Sequence, residues 1–405
     1  MITFDKIFPC IIFFQFLALE KIVIGGMPLY GLEIIFLLTL GILLKEKVKS
    51  EMKKIDKGIL FGSFIFLAGA LFSTLLNSWG YTELGMLKSW FFFPVLYFFL
   101  ALSLFSFDKR VAMWRGWFLG SSLISLIALL GYFRGYLTYD ERLAFPYTSP
   151  NFLAYLVTPA IFIGSFLLYK GSGWQRKGVL FLVGISAFVL YQTHSYNAWI
   201  ALLGAGAVSM TFFLSTFLRK KQLSLKRFLS IIALIAVAIS LFVFSEKDEP
   251  KWKDIFSQNG RSSVHSRLMI WQSALTIAKD HPINGVGIGN FQEVYLKYQE
   301  KFPPYLEWAV PQPHNFILAV WLQAGLLGLL GIGTIFGRLG FIFWQRMRRD
   351  NLDKNKEALV LVALWVSFFL YGLFDTPYFR NDLAFLFWTQ AYLTYAYSMR
   401  QGEGA

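Results

Sequence analysis

Long apolar runs separated by short polar breaks set the rhythm of this chain. Twelve stretches read as membrane spans, at about residues 7–24, 29–44, 58–77, 90–107, 112–132, 150–169, 178–192, 196–218, 228–244, 314–344, 358–376 and 382–399. Each is close to the ~20 apolar residues needed to cross a bilayer core of about 30 Å. The tenth is longer than a simple crossing requires, which predicts a tilted helix or one whose end projects from the bilayer. The pattern predicts an all-α polytopic membrane protein of about 12 transmembrane helices. The first apolar stretch runs into "EKIVIGG" without a small-x-small cleavage pattern, so it reads as a span and not as a cleavable signal.

One polar interruption is long. Residues 245–313 form a 69-residue loop before the tenth span, and a loop of that length in a compact protein has a function or its own structure. The chain accordingly divides into 1–244 (spans one to nine), 245–313 (the loop) and 314–405 (spans ten to twelve and a tail). Inside the loop, "SSVHSRLMIWQSALTIAKD" (262–280) places Leu268, Trp271, Leu275 and Ala278 at helical spacing. "HPINGVGIGNF" (281–291) breaks that helix with Pro282 and three glycines and reads as a turn back to the membrane. "FQEVYLKYQEK" (291–301) is a second amphipathic candidate, and the prolines of "FPPYLEWAVPQP" exclude a regular helix up to residue 313.

Charge orients the spans. The chain carries 15% charged residues, against about 25% in an ordinary globular protein, and its net charge is +14. The basic residues concentrate in "KEKVKSEMKKIDK", "DKRVAMWR", "KGSGWQRK", "RKKQLSLKR" and "QRMRRDNLDKNK", all on one side of the predicted topology. The short loops on the other side hold Lys21, Lys88, Arg134, Arg142 and Arg380. The excess therefore assigns itself to cytoplasmic loops, not to a nucleic-acid partner, and both termini are expected in the cytoplasm. The long loop lies outside, since long loops cross regardless of charge. With Cys10 as the one cysteine, an intrachain disulfide and a cysteine-based metal or redox site are excluded. "GVGIG" follows no strand and lacks the G-x-G-x-x-G spacing, and no Walker, H-E-x-x-H, G-x-S-x-G or D-x-D motif occurs.

Four stretches carry candidate chemistry, and all map to the outer side. His314 stands at the start of the tenth span, one of four histidines in the chain. It reads either as a helix-start residue bonded to backbone or headgroup, or as a general base, for which histidine's ordinary pKa of about 6.5 is suited. Asn315 beside it would orient an acceptor or support the turn. Arg267 lies one helical turn from Trp271, as a stacking pair or as a guanidinium offered to phosphate oxygens. "YDERLAFPYTSPNFLAYL" brings Arg142 and Asn151 to the start of the sixth span. "YQTHSYNAW" brings His194, Tyr196 and Asn197 to the junction of spans seven and eight. His265 and His281 read as loop-surface or capping residues. Nearly charge-free spans with polar outer loops favour an enzyme over a flippase or other transporter, which would place charges near the bilayer midplane.

"ERLAFPYTSPNFLAYL", "SRLMIWQSALTIAKDHPINGVGIGNF", "PHNFILAVWLQAGLLGLLG" and "GLFDTPYFRNDLAFLFW" resemble the O-antigen ligase and polymerase superfamily, bacterial membrane glycosyltransferases of the GT-C type, over about residues 139–397. The resemblance implies inverting glycan transfer, independent of metal or other cofactor, on the outer face of the cytoplasmic membrane. The donor it implies is a glycan on undecaprenyl pyrophosphate. The acceptor is the hydroxyl of a lipid A core in a ligase, another lipid-linked repeat in a polymerase, or a protein in an O-glycosylating transferase. His314 takes the base position, Arg267 a pyrophosphate position, and Arg142, Asn315, Asn151, Tyr196, His194 and Trp271 substrate-contact positions. Many members carry a Ser-Arg pair where this chain has Ser195 followed by Tyr196. That departure leaves Arg142 or His194 as replacements, a differently held donor, or weakened activity.

Overall fold

A computed structural model describes residues 4–14, 21–45, 55–77, 80–219, 263–303, 308, 310–349 and 356–399. The expected first span is not one continuous helix. Helix α1 (Phe4–Phe13) precedes an antiparallel hairpin of β1 (Lys21–Ile24) and β2 (Met27–Tyr30). The β-branched run Ile22-Val23-Ile24 favours an extended backbone. Gly25 and Gly26, at φ of 58° and 85°, supply the two positive dihedrals of a tight hairpin turn. Among the described residues the protein is thus helical with one small hairpin.

Most of the remaining spans keep close to their expected bounds, but the fourth begins nine residues before the expected residue 90 and the seventh five before the expected 178. They are α2 (Gly31–Lys45), α3 (Lys57–Asn77), α4 (Tyr81–Leu87) continued through a π-helical turn (Lys88–Phe92) into α5 (Phe93–Leu104), α6 (Arg110–Phe133), α7 (Pro150–Lys170), α8 (Gly173–Gln192) and α9 (Tyr196–Arg219). The expected ninth span and the boundary at 244 lie outside the described residues. There follow α10 (Ser263–Asp280), α11 (Phe291–Tyr298), α12 (Phe316–Arg349), α13 (Lys356–Phe374) and α14 (Asn381–Met399). Among the described residues, six helical stretches are long and apolar enough to cross a membrane: α3, α4–α5, the stretch containing α6, α7, α12 and α13. Helix α14 is buried from Asn381 to Tyr397. A helix enclosed by other helices need not be uniformly apolar, and α14 carries Thr389, Gln390 and Thr394.

The long tenth span is broken. Within α12, Gly325 takes φ 67° and ψ −171°, outside helical geometry. A break inside a membrane helix frees backbone groups that must find partners within the protein. The glycine-rich turn after α10 supplies them. Val286 N–H donates to Leu322 O at 2.7 Å, and Leu326 N–H donates to Ile283 O at 2.9 Å. The Trp321 indole donates to Pro282 O at 2.8 Å. A Cβ at Gly325 would collide with Ile283 O. The turn expected merely to return the chain to the membrane therefore plugs a gap in α12. Below the break, α12 lies against α3 through small residues: a Cβ at Gly69 would strike the Gly328 backbone, and one at Gly331 the Phe66 backbone.

Helix α10 buries a different face from the one its spacing suggested. Ile270, Ala274, Ile277 and Ala278 pack with Val286, Phe291, Tyr295, Leu318 and Leu322 in a satellite core. Leu268 and Leu275 stay 47% and 45% exposed. The helix is apolar on two adjacent stripes, and the small residues of the second allow the closer approach.

Candidate active site

Two chain reversals meet at one end of the bundle. His314 and Asn315 lead into α12, and Asp375 follows directly on α13. Asn315 acts as a helix cap: its Oδ1 accepts from Leu318 N–H at 3.1 Å, three residues on. Its Nδ2 donates to Leu373 O at 3.1 Å, tying α12 to the end of α13. His314, just before the cap, has φ 48°. That left-handed conformation costs a non-glycine residue about 1–3 kcal/mol and persists where its surroundings impose it, often at functional sites.

The surroundings are visible. His314 Nδ1 lies 3.2 Å from Asp375 Oδ1. An ionised carboxylate only accepts, so the neutral imidazole donates from Nδ1 and leaves Nε2 with its lone pair. Among the described residues Nε2 has no hydrogen-bond partner, and the side chain is 33% exposed. The His314 carbonyl accepts from the Trp271 indole at 3.2 Å, and the Trp271 ring lies 6.2 Å from that of Phe374. Trp271 thereby fixes the backbone that carries the imidazole.

Asp375 is the hub. Its Oδ1 also accepts from Thr376 N–H at 2.9 Å, and its Oδ2 accepts from Asn151 Nδ2 at 3.1 Å. Burial pushes the carboxyl pKa up. The hydrogen bond from His314, the Thr376 N–H and the field of Arg267 outweigh that and hold it below the ordinary value. Asp375 therefore stays ionised and keeps the histidine tautomer in place.

Asn151, in the first turn of α7, passes the network on. Its Oδ1 accepts from Ser195 Oγ at 3.0 Å and from Arg142 Nη2 at 3.2 Å. Arg142 Nε also donates to Thr193 O at 2.8 Å. Burial draws the Arg142 pKa down, partly opposed by Asp140, but a guanidinium remains charged in a protein. The Tyr371 hydroxyl donates to Asn151 O at 2.5 Å, so the backbone of that residue is pinned to α13 as well.

Arg267 reaches the same corner from α10. Its Nε donates to Phe374 O at 2.9 Å and its Nη1 to Ser263 O at 2.9 Å. Among the described residues its Nη2 has no partner, which leaves N–H groups for an incoming anion. Arg142, Asn151, Arg267, Trp271, His314 and Asn315 thus converge on Asp375 and the end of α13. Asn315 and Trp271 serve the framework more than a ligand. His194 (φ 43°) lies against the Tyr191 ring, centroids 5.7 Å apart, and Tyr196 opens α9 half-buried. The bonds just traced do not run through either side chain. The sequence reading passed over Asp375 and Ser195 as site residues. Asp375 did leave a signal, as an acidic residue at the end of an apolar span in a chain poor in charge.

Residues 179–333 match the family model described as O-antigen ligase. The chain is 27% identical over 194 residues to an O-antigen ligase of Salmonella typhimurium, covering 47% of this chain and 46% of that protein. It is 25% identical over 168 residues to an uncharacterized protein of Haemophilus influenzae, covering 38% and 42% respectively. The chain thus spans somewhat less than half the length of these curated relatives in the matched regions. The family match contains Ser195, Arg267, Trp271, His314 and Asn315, while Arg142, Asn151 and Asp375 lie outside it. Over these matched stretches the chain is similar to O-antigen ligases.

Proposed function

We propose that the protein is a membrane glycosyltransferase that moves a glycan from a lipid pyrophosphate to an acceptor hydroxyl. The observation that carries this reading is the imidazole of His314, oriented by Asp375 through Nδ1 with Nε2 unbonded among the described residues, together with the unused N–H groups of Arg267. In the reaction Nε2 takes the proton of the acceptor hydroxyl. The oxygen attacks the anomeric carbon as the bond from that carbon to the pyrophosphate oxygen breaks, with inversion. The leaving pyrophosphate carries off the electron pair, and Arg267 and Arg142 meet its growing charge. Arg142 ends beside Ser195, both bonded to Asn151 Oδ1. In our reading it replaces the arginine that many members carry after the serine. We further assign twelve spans with both termini in the cytoplasm. Arg346, Arg348 and Arg349 close α12 at the end opposite His314, which under the positive-inside rule supports a site on the outer face.

The acceptor of a surface-polysaccharide ligase, a lipid A core or similar glycan, is the reading we favour from family membership, with donor glycan on undecaprenyl pyrophosphate. The test is transfer by purified protein from lipid-pyrophosphate-linked glycan, with EDTA present. His314→Asn keeps a residue that tolerates the left-handed backbone but removes the base, and is expected to lower transfer about 10²–10⁴-fold. Arg267→Ala is expected to fall comparably with its melting behaviour retained. One shifted acceptor band supports a ligase, whereas a ladder of lengthening lipid-linked chains identifies a polymerase. Wild-type rates in the His314 variant would sink the assignment.

A further inference from the structure

The end of the bundle remote from His314 holds an apolar groove of ≈ 330 Å³ between α7, α9 and α13. Phe162, Phe166, Met210, Leu359, Val360 and Ala363 line it, with Gly206 on its wall. Its two serines spend their hydroxyls on backbone: Ser165 donates to Phe162 O at 2.6 Å and Ser209 to Leu359 O at 3.4 Å. The lining thus offers hydrocarbon contact and little else. At its mouth sits Lys356, the first residue of α13, with Nζ 3.4 Å from the centroid of the Tyr169 ring.

Three features say what fills it. First, the mouth lies in a layer of cation–aromatic pairs, with Lys177 over Trp174 at 4.7 Å and Arg348 over Trp344 at 3.9 Å. Trp174 is 84% exposed and Tyr169 55%. Exposed aromatic rings with basic neighbours at helix ends mark the headgroup level of a bilayer. Second, the charge at the mouth is positive. Glu357 is occupied by Arg110 Nε and Nη2, at 2.8 and 2.9 Å, and by the Trp114 indole at 2.9 Å. Among the described residues Lys356 makes no ion pair, and Lys170 follows Tyr169 at the end of α7. A phosphate there meets Lys356 at the positive end of the α13 dipole. Third, a helix rises about 1.5 Å per residue, so the length of α13 separates this mouth from His314 by about 27 Å. A phosphate held at Lys356 is therefore not the pyrophosphate that reacts at His314.

We propose that this groove binds an anionic phospholipid of the opposite leaflet, one acyl chain between α7, α9 and α13 and its phosphate at Lys356. The site is independent of the transferase reading. The experiment is native mass spectrometry of the full chain, stripped of lipid in detergent and titrated with phosphatidylglycerol or phosphatidylethanolamine. Wild type is expected to retain one phosphatidylglycerol in preference to phosphatidylethanolamine. A Cβ at Gly206 meets nothing within 4 Å, so Gly206→Leu starts into open space on the groove wall and is expected to fill the groove and abolish retention. Lys356→Gln, at the surface, is expected to reduce the anionic preference about fivefold, as one interfacial lysine contributes. Gly333→Leu, equally open on α12, is expected to bind as wild type. Equal retention of the two lipids by wild type, or undiminished retention by Gly206→Leu, would overturn the proposal.

Discussion

The two ends of α13 each hold a buried carboxylate, and they are built to opposite purposes. At one end Glu357 is closed off by the two-pronged guanidinium of Arg110 and by the Trp114 indole. Neither of these partners presents a reactive group. At the other end Asp375 is equally well bonded, by His314, Asn151 and Thr376. Here, however, one of the partners is an imidazole that is one-third exposed and whose second nitrogen has no hydrogen-bond partner among the described residues. A closed ion pair fastens helices together. A carboxylate that hands its polarisation to an exposed imidazole equips a site. Burial and bonding alone do not tell the two apart; the difference lies in what the partner does with its remaining valence.

Substitutions at the two ends can break or sharpen that contrast. Asp375→Asn is expected to have the largest effect. The amide can donate to Nδ1 and force the proton onto Nε2, which removes the base, at a cost of about 10⁴-fold in turnover by comparison with the carboxylate-oriented histidine of serine proteases. A stability signature accompanies it. The folded pKa of Asp375 is depressed, so its contribution is present above the ordinary carboxylate range and is lost as pH falls through the folded value. Wild type should lose stability on strong acidification in a step that the asparagine variant lacks. Unchanged turnover in Asp375→Asn would leave the carboxylate a fastener like Glu357.

Glu357→Gln is expected to show the reverse profile. It leaves Arg110 buried without its counter-charge and destabilises the fold by about 3 kcal/mol, while turnover per folded molecule stays at wild type. Thermal unfolding in detergent, read beside transfer rates, separates the two; a loss of turnover without loss of stability would undo the comparison. Gly325→Ala is the mildest. A non-glycine residue at that positive φ costs about 1–3 kcal/mol, and its Cβ presses on Ile283 O where the loop enters the α12 break. The expected result is faster hydrogen exchange in 281–291 with α3 and α13 unaffected; uniform exchange rates there would show that the loop does not depend on the break.

Much of the framework was legible in the order of residues, because lipid imposes a simple rule. A helix must stay apolar for as long as it faces hydrocarbon, so α3, α6, α7 and α13 announced their bounds to within a few residues. The same rule explains the miss at Lys21–Ile24, where an apolar run of β-branched residues continued the hydrophobic signal after the helix had ended. It also explains α10, whose two apolar stripes gave spacing nothing to choose between.

The sequence by itself predicted an all-α membrane protein with a long loop before α12 and a resemblance to O-antigen ligases, and singled out His314, Arg267, Arg142 and Asn151 as candidate chemistry. Only the tertiary structure decided that Asp375, 61 positions from His314, orients its imidazole. It alone showed that Asn151 joins Ser195 and Arg142 to the same carboxylate, that Asn315 and Trp271 hold the frame, and that the glycine turn repairs a broken helix. The physical reason is range. Hydropathy and helical period act between near neighbours, whereas the hydrogen bonds that give a histidine its tautomer and an arginine its direction close only when distant helices pack.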